Sequence, residues 1–157
     1  MGNILIQAPH NSGSMYYNYK GLFSIVLMAI LDADYRVLYA NCGDKGRVSD
    51  GGVFQNTTFC HKLQNGQLSI PGPEPIINEQ YVLPYVLVAF PLTENIMKPF
   101  AGTHEQGSIT RVYNYRLSRA RRLVENVFGI ICSVFRIFQK PILFHPDKAC
   151  NDLFICA

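Results

Sequence analysis

The side chains with most to offer chemically crowd into one stretch, Tyr115 to Phe138, where Arg116, Arg119, Arg121 and Arg122 precede a single acid, Glu125. Between Arg111 and Lys140 seven basic residues stand against that one carboxylate, a local balance of +6 in a chain whose net charge is +3. The rest of the chain therefore carries −3, and the basic character is a face, not a bulk property. Guanidinium groups at this density repel one another, and near the start of a helix they also oppose its macrodipole, unless an anion accepts them. Phosphate is an anion that Arg119, Arg121 and Arg122 could hold, with affinity that falls as salt rises; a merely solvated basic face accounts for the same residues. Glu125 also has a plain explanation. Arg121 and Arg122 lie four and three residues before it, the spacing of a helical ion pair.

The other acids have equally ordinary readings. Asp50 stands in the glycine-rich segment GDKGRVSDGG, where Ser49 or Asp50 would cap a following helix, although the glycines also let a ligand approach the backbone closely. Asp32 and Asp34 sit at a turn, where aspartate is common. Cys42, Cys60, Cys132, Cys150 and Cys156 are odd in number and show no Cys-x-x-Cys spacing, which argues against a zinc site or a disulfide framework. No pair among His10, His61, His104 and His145 has metal-ligand spacing. Tyr16, Tyr17 and Tyr19 with Lys20 could stack on nucleic acid, but packing of tyrosines on a loop is the plainer account.

The elements that must position these residues follow from hydrophobic periodicity. In Tyr115 to Phe138 apolar residues recur at three- and four-residue steps from Leu117 to Phe138, the pattern of an amphipathic helix buried along one stripe. Ile4 to Ile6 reads as a strand, and Leu22 to Ile30 is a continuous apolar run suited to a central strand. Arg36 to Ala40 alternates, so it forms a hairpin with that run about a turn near Ala33 and Asp34, and the first three strands make an antiparallel meander. A short helix is expected over Val53 to Leu63, another strand over Tyr81 to Phe90, a short helix capped by Thr93 over Glu94 to Lys98, and a last helix over Pro146 to Ala157. With 157 residues and 48% hydrophobic content the chain fits one α+β domain, a sheet flanked by helices. The longest apolar run is too short for a membrane span and no secretion signal is present, so a nuclear or cytoplasmic setting with reduced thiols is expected.

Four segments carry a family resemblance: IQAPHNSGSMYYNYKG, DADYRVLYANCGDKGRVSDGGVF, AFPLTENIMKPF and NYRLSRARRLVENVFGIICSVFRIFQKPI. Together they resemble the catalytic domain of Harbinger-type transposases and their domesticated nuclease relatives, nearly from end to end. The resemblance implies an RNase-H-like mixed sheet, the meander plus a further strand, in which carboxylates hold divalent metal for DNA phosphodiester cleavage. Mg²⁺ or Mn²⁺ suits such donors, since these ions take hard oxygen ligands, and two of them brace the attacking water and the leaving oxygen.

By that resemblance Asp50 in GRVSDGG and Glu125 in RRLVENVFG are the catalytic, metal-binding acids retained here, with Gly129 one turn on leaving room beside Glu125. The family's first acid falls just upstream of Met1, and its Gly-Asp pair is missing where Val88 joins Ala89 directly. Two of four acidic positions remain, so the chain is expected to be a single, incomplete nuclease domain spanning 1–157. An impaired endonuclease, a non-catalytic DNA- or protein-binding relic and an incomplete gene model are the three readings that follow. The family's helix-turn-helix module has no room in this chain, which points to a separate DNA-binding partner protein. A membrane partner is not expected.

Overall fold

The computed structural model describes residues 1–70 and 96–155 in full, with the backbone also of 74–76, 80–82, 86–87 and 156. They fall into two compact units, Met1–Cys60 with Leu123–Ala157, and His61–Arg122.

In the first unit the apolar run becomes strand β2, Ser24–Leu31, with Ser24 to Met28 all buried. It is central because it has an antiparallel neighbour on each edge, β1 (Gly2–Leu5) and β3 (Val37–Lys45), in the order β1-β2-β3. The expected meander is thus present. Its turn is held by Asp32, whose Oδ1 accepts the N–H groups of Asp34 at 2.8 Å and Arg36 at 2.9 Å, while Tyr35 takes the left-handed conformation at φ +67°. Asp32 is therefore occupied as a turn residue.

Strand β3 outruns its expected end at Ala40 by five residues, reaching Lys45. The alternation breaks because Gly43, at φ +119°, is skipped by the ladder: Val26 pairs with Asp44 and Leu27 with Cys42, leaving a bulge that only glycine fits easily. On the far edge Ile142 forms a parallel bridge with Ile6, Gln7 donating to its carbonyl and Leu5 accepting from its N–H, both at 2.9 Å. Pairing around the sheet is therefore mixed, though the parallel neighbour comes from after the long helix.

The single helix expected over Val53 to Leu63 is two, α1 (Asp50–Gln55) and α2 (Thr58–Gln64). Buried Thr57 separates them, donating to the Phe54 carbonyl at 2.7 Å and accepting the Cys60 N–H at 3.1 Å, so it closes one helix and caps the next. Between β3 and α1, Gly46 lies against buried Ser24. A Cβ there would meet the Ser24 hydroxyl and stand 2.7 Å from the Tyr16 carbonyl oxygen and 2.8 Å from that of Ser24. Gly46→Ala is therefore expected to cost about 1–3 kcal/mol by forcing backbone apart, a loss that urea unfolding would register.

The long helix α3 runs Ile109–Val134, starting six residues before its expected first turn and ending four before its expected last. Ser108 sets the start: its hydroxyl donates to the Glu105 carbonyl at 2.8 Å and accepts the Arg111 N–H at 3.3 Å. This corrects the electrostatic expectation, since Arg116 to Arg122 now lie mid-helix and the macrodipole acts only within the end turns. A 3₁₀ turn, Arg136–Phe138, follows extended Phe135. The last helix, α4, spans Pro146–Cys156, with proline at its first position where a missing N–H costs nothing. It presses Ala149, Cys150 and Leu153 into a core with Ile4, Ile6, Ile25, Leu27 and Ile142.

Helix α4 also brings Cys150 beside Cys42 of β3, both as free thiols. A hydrogen bond between them, aided by burial, pushes the Cys42 thiol up, while the same bond pulls the Cys150 thiol below its ordinary value. Removing the donor in Cys42→Ala should shift the alkylation profile of Cys150 to higher pH, as followed by mass spectrometry of iodoacetamide adducts.

In the second unit, short strands pair antiparallel, Glu74–Ile76 with Gln80–Val82, and parallel, Val86–Leu87 with Ile96–Met97. Most of the strand expected over Tyr81 to Phe90, and Thr93 to Asn95 of the expected short helix, lie outside the described residues. Where that helix can be checked, at Ile96 and Met97, the chain is extended, because it pairs with Val86 and Leu87 instead of closing on itself. The loop that follows is tied to α3: Phe100 N–H donates to Asn114 Oδ1 at 2.9 Å and Asn114 Nδ2 donates back to the Phe100 carbonyl at 3.0 Å. No helix among the described residues is long and apolar enough to cross a membrane.

Candidate functional site

Asp50 opens α1 on the protein surface, in the first turn, where a carboxylate faces unpaired backbone N–H groups. The cap itself is Ser49, whose Oγ accepts the Gly52 N–H at 3.3 Å. The ordinary explanation for Asp50, capping, is thus taken by its neighbour. Among the described residues its carboxylate has no hydrogen-bond donor and no ion-pair partner.

What steadies α1 is Asp44, a half-buried acid on β3 to which the sequence assigned no role. It accepts from Asn41 Nδ2 at 3.0 Å and from Asn56 Nδ2, at the far end of α1, at 3.4 Å. With Val53 and Phe54 buried behind it, α1 is held against the sheet and Asp50 stays outside. The signal for Asp44 in the sequence was faint: its place beside the bulged Gly43 is visible only once strand pairing is known.

Glu125 is exposed on α3. Its ordinary explanation also falls away, because neither Arg121 nor Arg122 pairs with it; the ion pair found among the described residues is His145 Nδ1 to Asp147 Oδ2, at 3.2 Å on the surface. The register that turns Glu125 outward is set by its neighbours. Val127 is buried, and Phe128 packs so closely on β1 that a Cβ on Gly2 would lie 3.3 Å from its ring. Asn126 Nδ2 reaches the Tyr35 hydroxyl at 3.4 Å. A Cβ at Gly129 would have nothing within 4 Å, so the space beside Glu125 is open.

Arg119, Arg121 and Arg122 are exposed on the preceding turns, and among the described residues none has a carboxylate within ion-pair distance. The earlier turns of α3, Ile109 to Leu117, line with Met97 and Gly107 an open hollow of about 630 Å³ in the second unit. Its described walls are mainly apolar, Ile109, Val112, Tyr113 and Leu117, with Arg116 beside them.

Asp50 and Glu125 offer the hard oxygen donors that Mg²⁺ or Mn²⁺ takes, and neither is committed elsewhere. In number they fall short. Among the described residues no three Asp, Glu, His or Cys side chains converge on one point, so these residues do not build the cage that two braced ions need. Asp34, exposed at the β2–β3 turn, makes no such trio either.

No curated protein and no solved structure matches this chain. A family model does, that of the DDE superfamily endonuclease, over residues 3–157, which takes in β1, the meander, Asp50, the arginine-bearing helix, Glu125 and α4. With nearly its whole length matched, the chain belongs to the DDE superfamily endonuclease family.

Proposed function

We propose that this chain is a single, Harbinger-type, RNase-H-like nuclease domain of transposase descent whose phosphodiester hydrolysis is impaired. The observation that carries the reading is that Asp50 and Glu125, the family acids kept here, are both exposed and free of capping and ion-pair roles. An antiparallel meander with a parallel bridge on β1 supports the fold assignment. In this reading Asp50 and Glu125 bind a divalent cation, Mg²⁺ or Mn²⁺, which when bound lowers the pKa of water and offsets charge on the leaving oxygen. Arg119, Arg121 and Arg122 hold the DNA backbone, and a separate DNA-binding protein supplies target choice in a nuclear or cytoplasmic setting. Impairment follows from the missing Gly-Asp pair at the Val88–Ala89 junction, since the remaining carboxylates are too few to brace two ions.

Nicking of supercoiled plasmid tests the catalytic reading. Slow conversion in Mg²⁺ or Mn²⁺ and none in EDTA is the expected result; conversion no faster than in EDTA would remove it. The exposed arginines, without an ion-pair partner among the described residues, favour one second reading, a non-catalytic relic that still binds DNA. It would show as a gel shift that needs no metal and that weakens in Arg121→Ala with Arg122→Ala.

A further inference from the structure

Beside Asp50 the fold assembles a second set of cations, which helix periodicity leaves aside and to which the acidic positions of the family assign no role. Lys45 ends β3 and Arg47 follows Gly46 in the turn towards α1, and both are exposed. The loop before β2 lies against this turn. Lys45 Nζ is 3.5 Å from Met15 Sδ, and Arg47 Nη1 is 3.4 Å from Ser14 Oγ. Neither contact neutralises a charge, and among the described residues no carboxylate lies within ion-pair distance of Lys20, Lys45 or Arg47.

The frame beneath them is rigid and polar. Ser24, at 0% exposure, donates its N–H to the Tyr16 carbonyl at 2.8 Å and accepts the Gly46 N–H at 2.9 Å, so it clamps loop and turn side by side. Buried Asn18 donates to Ser24 Oγ at 3.1 Å and accepts the N–H groups of Lys20 and Leu22 at 2.9 and 3.1 Å. A frame so fully bonded is pre-organised, which lowers the entropy lost when a ligand binds. On the outside of this loop Tyr19 is 84% exposed and Tyr17 43%, with Lys20 Nζ 5.5 Å from the Tyr19 ring centre. Exposed Tyr19, and the free side of Tyr17, whose ring meets Phe23 edge-on at 4.5 Å, stand among cations without a described carboxylate partner and match the two parts of a nucleic acid strand, its bases and its phosphates.

We propose that Lys45, Arg47 and Lys20, with Tyr17 and Tyr19, form a DNA-backbone contact surface that leads to Asp50, distinct from the arginines of α3. It rests on the reading of this chain as a DNA-processing domain. The turn supplies the link: Val48 N–H donates to the Lys45 carbonyl at 2.8 Å, Ser49 caps α1 and Asp50 follows, three residues after Arg47. A strand whose phosphates lie on Lys45 and Arg47 is therefore held next to that carboxylate. A patch that is merely solvated would bind nothing.

Fluorescence anisotropy of a labelled DNA oligonucleotide with the full chain, in EDTA across a salt series, tests the assignment. Lys45→Ala with Arg47→Ala should weaken binding roughly tenfold near physiological salt and lower the slope of log affinity against log salt by about 1.5–2. Lys148→Ala, an exposed lysine of α4, should change neither by comparison. Wild-type binding that the double variant leaves unaltered, or that Lys148→Ala reduces as much, overturns the surface while leaving the domain a DNA binder. Loss confined to Arg121→Ala with Arg122→Ala has the same meaning. A wild-type chain that binds no DNA overturns this surface and the DNA-processing reading together. Both mutated side chains are exposed, and unchanged far-UV circular dichroism excludes misfolding as the cause.

Discussion

Glu125→Gln is expected to abolish metal-dependent nicking, by at least about 100-fold, more than the loss usual for a residue that only orients a ligand. Glutamine keeps the shape and removes the charge that a hard cation requires. The prediction is unusually clean because Glu125 is exposed and, among the described residues, has no ion-pair partner to leave stranded. Its stability should therefore stay within about 0.5 kcal/mol of the wild type, so a lost rate cannot be blamed on unfolding. Glu105→Gln, an exposed acid outside α3, serves as the control and should nick normally. Undiminished nicking by Glu125→Gln would end the assignment of that residue. The complementary change, Gly-Asp inserted between Val88 and Ala89, is expected to raise the rate, because in the proposed reading it supplies the carboxylate missing from the acidic site.

Leu153→Ala should produce the largest stability loss, about 3 kcal/mol, lowering the melting temperature by roughly 6–12 °C. Leu153 is fully buried, and it lies four residues from equally buried Ala149, on the face of α4 that meets Ile25, Leu27 and Ile142. Truncation removes methyl groups from a core whose backbone is fixed on one side by the β-ladder, so the cavity cannot collapse. Ile155, two residues on, is 84% exposed, and its change to alanine should cost no more than about 0.5 kcal/mol. Thermal unfolding of the two variants side by side measures the difference. Equal losses would mean that α4 does not dock by this face.

Part of this molecule is written in local pattern. The apolar run at Leu22 could only be a central strand, the alternation after it had to return as a hairpin, and Asp32 was bound to a turn, because each depends on residues a few positions apart. Pro146 and the apolar spacing behind it likewise marked α4. Asp50 and Glu125 stand where the family resemblance puts acids, and local spacing offered each a structural alibi: an N-cap for Asp50, an ion pair with Arg121 or Arg122 for Glu125.

Tertiary structure removed both alibis, since Ser49 caps α1 and neither Arg121 nor Arg122 pairs with Glu125. It also moved the start of α3 back to Ser108, which takes the arginines out of the macrodipole's reach. Periodicity cannot locate that start, because the first turns of a helix are capped by polar atoms and carry little apolar stripe. The same limit hid the bulge at Gly43, the helix break at Thr57, the bridge from Ile142 to Ile6 and the gathering of Lys45 and Arg47 against Ser14 and Met15. In each case the deciding partner is a hydrogen-bond acceptor or a strand edge, and where it is distant in sequence no window of residues contains it. The sequence by itself determined the meander, the long helix and α4, and its family resemblance marked Asp50 and Glu125 as candidate acids. Only the folded chain decided that those acids are unencumbered and that cations flank one of them, because both facts depend on which side chains find partners across the fold.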